Sequence, residues 1–311
     1  MEDIIEALNL YELNNPTYTL IRHNENKTYH VVDGQNEYLL RIHQPIKGFN
    51  EGLLIKKTNK CEKIESELKS LEILNNNGFS VQKPIYTKKN ELFSTLSNQI
   101  PVSMLTWITG ENLGTNYKNK LNELGIMIAR LHKVSPLINN YSIYYDEILV
   151  DELIKGFIND YNESFISLEN KNILISTLKE VKVIMKKLSK TENKGYIHSD
   201  LGFSNIILSS DMVIPIDFSL AGFGYFAHEI GMILCNIISI EERKVLVESY
   251  EKELKTKLNV HDVDAFFCFS IILYIWLQKN RLYKEESFTR RMNYWTNNYF
   301  NNLVNNISFS Y

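Results

Sequence analysis

The sequence is poor in the residues that staple or punctuate a chain. Its three cysteines, Cys61, Cys235 and Cys268, are scattered and form no C-x-x-C pair, which argues against a disulfide framework and a zinc ribbon. Only 6 prolines and 13 glycines occur in 311 residues, with no low-complexity linker and no internal repeat. Positive charge is not in excess either: 34 Lys and Arg against 37 Asp and Glu give a net −3. The sequence-wide basic excess of many nucleic-acid binders is therefore missing, though a local patch stays open, and no nucleic-acid partner is expected. The N-terminus, MEDIIEALNL, lacks a basic stretch ahead of an apolar one, so no signal peptide is expected. The longest apolar run, Ala265 to Leu277, is interrupted by Ser270 and too short to span a bilayer. It reads as a buried helix. A cytoplasmic chain with no membrane partner is the expectation, and its oligomeric state is not readable.

What is present is enough apolar residue to build a core, 44% against 23% charged. The length allows two domains of about 150 residues or one two-lobed unit. Thr17 to Arg22, Thr28 to Val32, Tyr38 to His43, Val81 to Tyr86 and Val102 to Ile108 are rich in β-branched and aromatic residues and read as strands. A helical segment, roughly Lys56 to Asn76, lies between the third and fourth. After Gly110 helical periodicity dominates, with stripes such as Leu121, Leu124, Ile128, Leu131 and Leu174, Leu178, Val181, Met185, Leu188. The pattern predicts a small sheet with one helix, a short connector and a larger helical lobe, with a cleft between them.

The chemistry sits in Gly195 to Gly224, GYIHSDLGFSNIILSSDMVIPIDFSLAGFG. Here His198-x-Asp200 is followed by Asn205, and a short strand–turn–strand, Ile206 to Ile216, ends on Asp217-Phe218. Phosphoryl transfer needs this set: one carboxylate to orient a hydroxyl and take its proton, and an Asn and a second carboxylate for Mg²⁺. Asp200 is the candidate base, and Asn205 and Asp217 are the candidate metal ligands, oxygen donors of the kind Mg²⁺ prefers. Each dyad alone occurs in ordinary turns; the ordered combination is far more specific.

This stretch resembles the Brenner motif and metal-binding segment of the aminoglycoside phosphotransferase/choline kinase family, whose usual form is close to H-G-D-L-H-P-G-N followed by I-D-F. The chain departs from it at Ser199 and at Gly202-Phe203-Ser204, positions expected to line the loop facing the acceptor. The resemblance implies an α+β, bilobal, protein-kinase-like fold. Its parts would be an N-terminal nucleotide-binding lobe with an antiparallel sheet and one helix (1–105), a hinge (106–112) and a mainly helical C-terminal lobe (113–311). It implies ATP or GTP as co-substrate with Mg²⁺, and a small-molecule hydroxyl as acceptor. His198 would brace the catalytic loop. Glu229 would brace the same loop, or serve as an ordinary helix-start acid.

In the N-terminal part, NENKTYHVV and YLLRIH are similar to the first hairpin and third strand of members related to type II homoserine kinases and stress-response kinases. Arg41 takes the place of the phosphate-gripping Lys, and its two-pronged guanidinium keeps that role possible. By period two, Leu39, Arg41 and His43 share one face of the strand. Glu67 would pair with Arg41: it lies within the helical stripe Ile64, Leu68, Leu71, where a carboxylate is costly unless paired. Glu62, Glu65 and Glu72 fall outside that stripe. Asn24, Glu25 and Asn26 would form the turn over the phosphates. Leu105 to Trp107, in the last strand and hinge, would offer backbone groups to the purine.

Other features are weaker. His228-Glu229 begins like H-E-x-x-H, but Met232 ends the match. Asp146, Glu147, Asp151 and Glu152 suit either a pocket for a cationic acceptor or the first turns of a helix. Two other functions remain open at this stage: a protein Ser/Thr kinase of the stress-response type, and a nucleotide-binding pseudoenzyme.

Overall fold

A computed structural model describes residues 2–23, 26–45, 54, 59–160 and 165–311. The N-terminal sheet forms where the sequence alternates. Helix α1 (Glu2–Asn9) precedes strands β1 (Thr17–His23), β2 (Lys27–Asp33) and β3 (Asn36–Ile42). Helix α2 (Lys60–Asn76), two short strands β4 (Pro84–Ile85) and β5 (Phe93–Thr95), and β6 (Pro101–Thr106) follow. All the pairings are antiparallel, in the order β1-β2-β3-β6-β4, with β5 also on β6. The two faces of β3 separate as period two requires. Leu40 and Ile42 join Ile4, Ala7, Leu8 and Tyr11 in a small apolar cluster under α1, while Arg41 and His43 turn to the other side. Helix α1 thus covers one face of the sheet, with Ile4, Ala7 and Leu8 at the i, i+3, i+4 spacing of one helical face; this helix was missed by sequence reasoning.

Helix α2 begins on a capping box, in which Asn59 accepts from Glu62 N–H and the Glu62 carboxylate from Asn59 N–H. Its stripe Ile64, Leu68, Leu71 and Leu74 is buried against the main core. The expected strand over Val81 to Tyr86 shrinks to two residues. Pro84 has no N–H to give to a ladder, and Gln82 and Lys83 bond Thr106 outside regular pairing.

Past β6 the connector carries β7 (Glu111–Asn112), which pairs with the catalytic hairpin. A Cβ on Gly110 would collide with the Leu208 carbonyl, so glycine permits this approach. The larger part contains α3 (Leu121–Val134), α4 (Glu147–Asn159), α5 (Leu168–Leu188), β8 (Lys194–Ile197), β9 (Ile206–Ser209), β10 (Met212–Pro215), β11 (Gly222–Tyr225), α6 (Phe226–Leu234), α7 (Ile240–Leu254), α8 (Val260–Leu282), α9 (Phe288–Trp295) and α10 (Asn301–Val304). Helix α6 crosses α8 at Gly231, where a Cβ would meet the backbone of Phe266 and Phe267. Among the described residues α8 is the one helix long and apolar enough to cross a membrane, but most of it is buried inside the helical layer.

That layer encloses histidines. His228, fully buried, lies among the rings of Tyr145, Phe266 and Phe269. Neither of its ring nitrogens has a hydrogen-bond partner among the described residues. Burial lowers its pKa to about 3, whereas an unfolded histidine takes a proton near 6.5. Its contribution to stability is therefore complete above pH 6.5 and shrinks as the pH falls below that value. A His228→Phe variant should gain on the wild type by about 2 kcal/mol more at pH 5 than at pH 7.5. Denaturant midpoints of both proteins at the two pH values check this; an equal difference at both would refute it.

Candidate active site

The catalytic loop runs from β8 to β9, and two side chains hold its backbone. Glu229, in the first turn of α6 and fully buried, accepts the N–H groups of His198 (2.5 Å) and Ser199 (3.1 Å). Burial pushes its pKa up to about 7, although those two N–H groups pull it down. His198 accepts the Asp200 N–H on Nδ1 at 3.2 Å and meets the Ile216 carbonyl with Nε2 at 2.9 Å. Both bonds are satisfied only when the proton is on Nε2. Burial, outweighing the Ile216 bond, lowers the ring's pKa to about 4. A neutral imidazole occupied on both sides braces the loop and has no lone pair left for an acceptor.

The β9–β10 hairpin then returns the chain. Ile207 pairs with Ile214, Ile206 with Pro215, and Ile216 N–H bonds the Asn205 carbonyl at 2.9 Å. Asp217 follows with φ of 64°, in the left-handed region that only a few non-glycine residues occupy. The fold brings Asp200, Asn205 and Asp217 to one cleft of about 200 Å³, shared with Arg22, Asn26, Thr28 and Ser204. Asn205 Nδ2 donates to the Asp200 carbonyl (2.9 Å) and to Asp200 Oδ2 (2.8 Å), which turns the amide oxygen Oδ1 away from Asp200.

Two carboxylates in one cleft separate in acidity. Asp200 is raised to about 7, first by burial and then by the Asp217 charge, against the Asn205 hydrogen bond. For Asp217 burial also acts upward, but the Arg22 and Arg41 guanidinium groups and a Ser219 hydrogen bond outweigh it and hold the carboxyl below the usual range. Arg22 Nη2 meets Asp217 Oδ2 at 2.5 Å. Above the cleft, Arg41 Nη1 bonds Glu67 Oε1 at 2.8 Å with both side chains about 95% buried. The neighbouring helix acids divide as the stripe indicated: Glu62 caps α2, Glu65 pairs with Lys69, and Glu72 accepts from Tyr86.

The expected nucleotide-site residues fare differently. Asn26 lines the cleft, while Asn24 and Glu25 lie outside the described residues. Leu105 is buried within the sheet, paired with Leu39 on one side and Pro84 on the other. Trp107 gives its N–H to the Glu37 carbonyl at 3.0 Å, and its ring packs on His30 at 4.2 Å. Ser199 is a correction, because its side chain is buried and does not line a loop surface facing an acceptor. Ser204 does reach the cleft, and Phe203 stacks on Tyr117 at 4.5 Å. Of the acids on α4, Asp146 caps the helix by accepting from Ile148 and Leu149 N–H, and Asp151 pairs with Lys182. These are helix-start and surface roles.

Arg22 and Thr28 were missed by sequence reasoning. A register shift between Leu20 and Arg22 puts Arg22 opposite Thr28, Thr28 opposite Arg41, and Arg41 opposite Ser103. Cross-strand partners share a face, so this row lies on one side of the sheet. No simple alternation reveals it.

The donor set suits Mg²⁺: one carboxylate and one amide oxygen on a cleft, the small protein contribution such an ion takes when phosphates and water supply the rest. No cage of three or more His, Cys, Asp or Glu occurs among the described residues.

Residues 17–263 match the model of the phosphotransferase enzyme family. No curated protein matches the sequence. Among solved structures, a microcompartment-associated aminopropanol kinase is similar over 100% of both chains, at 18% identity and a TM-score of 0.75. An amicoumacin kinase in complex with AMP-PNP, Ca²⁺ and Ami covers 99% of this chain and 93% of its own, at 16% identity and 0.70. Choline kinase from Cryptosporidium parvum Iowa II covers 97% and 95%, at 14% and 0.62. All share the bilobal kinase-like fold.

Ser199 stands in the left-handed region, φ 61°, where a Cβ is strained. Its buried Oγ has no hydrogen-bond partner among the described residues. Ser199→Gly should therefore stabilise the protein by about 1 kcal/mol. Chemical denaturation of the two proteins tests it, and a destabilised glycine variant would show that Oγ makes a favourable contact.

Proposed function

Since the chain belongs to the phosphotransferase enzyme family, whose members here are small-molecule kinases acting on hydroxyl groups, we propose that it moves the terminal phosphoryl group of ATP or GTP, with Mg²⁺, onto a hydroxyl of an amine-bearing small molecule. The observation that carries this reading is the meeting of Asp200, Asn205 and Asp217 on one cleft beneath the Arg22–Thr28–Arg41 row. The amine is supported by two similar structures, named for aminopropanol and choline, both of which carry a hydroxyl and an amine or ammonium group.

Each residue has a task. Arg41, fixed by Glu67, would hold the nucleotide phosphates from the third strand. Asn26 covers them from the β1–β2 turn. Asp217 and Asn205 Oδ1 would hold Mg²⁺, which supplies neutralisation of phosphate charge when bound. Asp200 accepts the acceptor's O–H in a hydrogen bond and so aims the oxygen at phosphorus. As the new O–P bond forms and the bond from phosphorus to the bridging oxygen breaks, the hydroxyl proton passes to Asp200. Its orientation matters at least as much as its basicity. Asn205, bonded to both the carbonyl and the carboxylate of Asp200, positions that side chain.

Asp200→Asn should leave nucleotide affinity within about twofold while lowering kcat by about a thousandfold or more. Calorimetry with AMP-PNP and single-turnover phosphate transfer measure the two. Retention of most activity would remove Asp200 from the mechanism. The acceptor class is decided by nucleotide turnover across a panel of amino alcohols, aminoglycosides and Ser/Thr-containing protein. Turnover stimulated by protein alone would replace the small-molecule reading, and binding with no turnover on any acceptor would favour a sensor.

A further inference from the structure

Arg22 has no part in the scheme above, yet it makes the one direct ionic contact with Asp217 found among the described residues. Its place depends on a local irregularity. On the N-terminal side of β1, Thr17, Tyr18, Thr19 and Leu20 oppose Val32, Val31, His30 and Tyr29 in strict register. Continued, that register would set Arg22 opposite Lys27, on the face away from the cleft. The extra residue, Ile21, shifts it by one, so Arg22 opposes Thr28 and shares a face with Arg41. A bulge beside a site typically re-aims one side chain in this way.

The two arginines of this row are held differently. Arg41 and Glu67 are about 95% buried, a fixed pair. Arg22 is half exposed and Asp217 only 18% exposed, so the Arg22 pair is screened by solvent on one side and exchanges at low cost. Its partner is the carboxylate that the functional reading gives to the metal. A guanidinium and a divalent cation cannot both take the same face of Asp217.

We propose that Arg22 is a second phosphate-binding arginine that the nucleotide-free chain stores on Asp217. In that state it neutralises Asp217 and disfavours a metal ion arriving alone. When metal and nucleoside triphosphate arrive together, Asp217 turns to the metal and Arg22 moves to the phosphate oxygens beside it, a donor geometry suited to its fork. The released guanidinium then gains a new anionic partner only if phosphate is present. The cleft thereby favours the metal–nucleotide complex over either component. This rests on the reading of Asp217 as a metal ligand.

The test compares wild type, R22Q, R22K and D217N for binding of Mn²⁺ alone, by electron paramagnetic resonance, and of AMP-PNP with Mg²⁺, by calorimetry. An ion pair closed about nine-tenths of the time weakens cation binding about tenfold. R22Q should therefore bind Mn²⁺ alone about tenfold more tightly than wild type, and AMP-PNP with Mg²⁺ about tenfold more weakly. R22K, which keeps the charge and loses the fork, should fall between. A merely structural role for Arg22 would not raise metal affinity. Unchanged or weaker Mn²⁺ binding by R22Q overturns the storage of Arg22 on Asp217, and a gain in affinity for AMP-PNP with Mg²⁺ as large as the gain for Mn²⁺ alone overturns the phosphate contact. D217N should lose Mn²⁺ binding. If it binds Mn²⁺ like the wild type, the metal-ligand reading of Asp217 falls and the inference with it, an outcome separable from failure of the Arg22 variants alone.

Discussion

Two carboxylates facing one small cleft repel each other, and the surrounding charges are arranged around that repulsion. Asp200 and Asp217 flank the β9–β10 hairpin on its two sides, and burial makes each more costly to ionise. The cost is distributed unequally. Asp217 receives Arg22 directly and Arg41 at longer range, so it remains a firm anion. Asp200 receives one amide hydrogen bond and the residual field of Asp217, so its proton affinity rises. Separation of acidity between neighbouring carboxyls is what assigns one to charge-holding and the other to proton transfer. Glu67 belongs to the same arrangement, since it anchors the arginine whose field reaches Asp217.

The backbone beneath these groups is held against its own preferences. Ser199 and Asp217 both occupy left-handed conformations, which persist only where the surroundings over-determine them. The surroundings here are Glu229, gripping two successive N–H groups, and His198, joining the Asp200 amide to the Ile216 carbonyl. These two side chains tie the loop bearing Asp200 to the strand end bearing Asp217. A charged Glu229 in a fully buried position is sustained by N–H dipoles alone among its described contacts. The geometry of the loop and the ionisation of Glu229 therefore support each other.

Much of this was legible in the chain, and what escaped notice has physical reasons. The pairing of Arg41 with Glu67 could be read because the family resemblance put Arg41 at the phosphate-gripping position and the helical period put Glu67 inside an apolar stripe, where a carboxylate needs a partner. The hairpin ending on Asp217 could be read because its residue types are ordered in a way chance turns are not. The bond from the Trp107 N–H to the Glu37 carbonyl could not be read, because it depends on β6 lying beside β3, a sheet order no local pattern encodes. Ser199 misled because a left-handed φ turns its side chain inward. Arg22 was invisible for a related reason: one extra residue in β1 inverts every expectation drawn from alternation.

The row formed by that bulge also bears on how the lobes meet. Among the described residues, hydrogen bonds away from the cleft mouth also tie the small lobe to the helical part. Asn140 bonds the carbonyl of Ser66 on α2 at 2.9 Å, and β7, just past the last strand, pairs with β9. The first is a side-chain amide on a backbone carbonyl and the second a strand pairing, and neither involves a charged group. β1, at the sheet edge farthest from β4, reaches the other lobe through the side chain of Arg22. A contact made at an edge, by a long half-exposed side chain, responds to the charge on its partner in a way the two hydrogen-bonded ties do not.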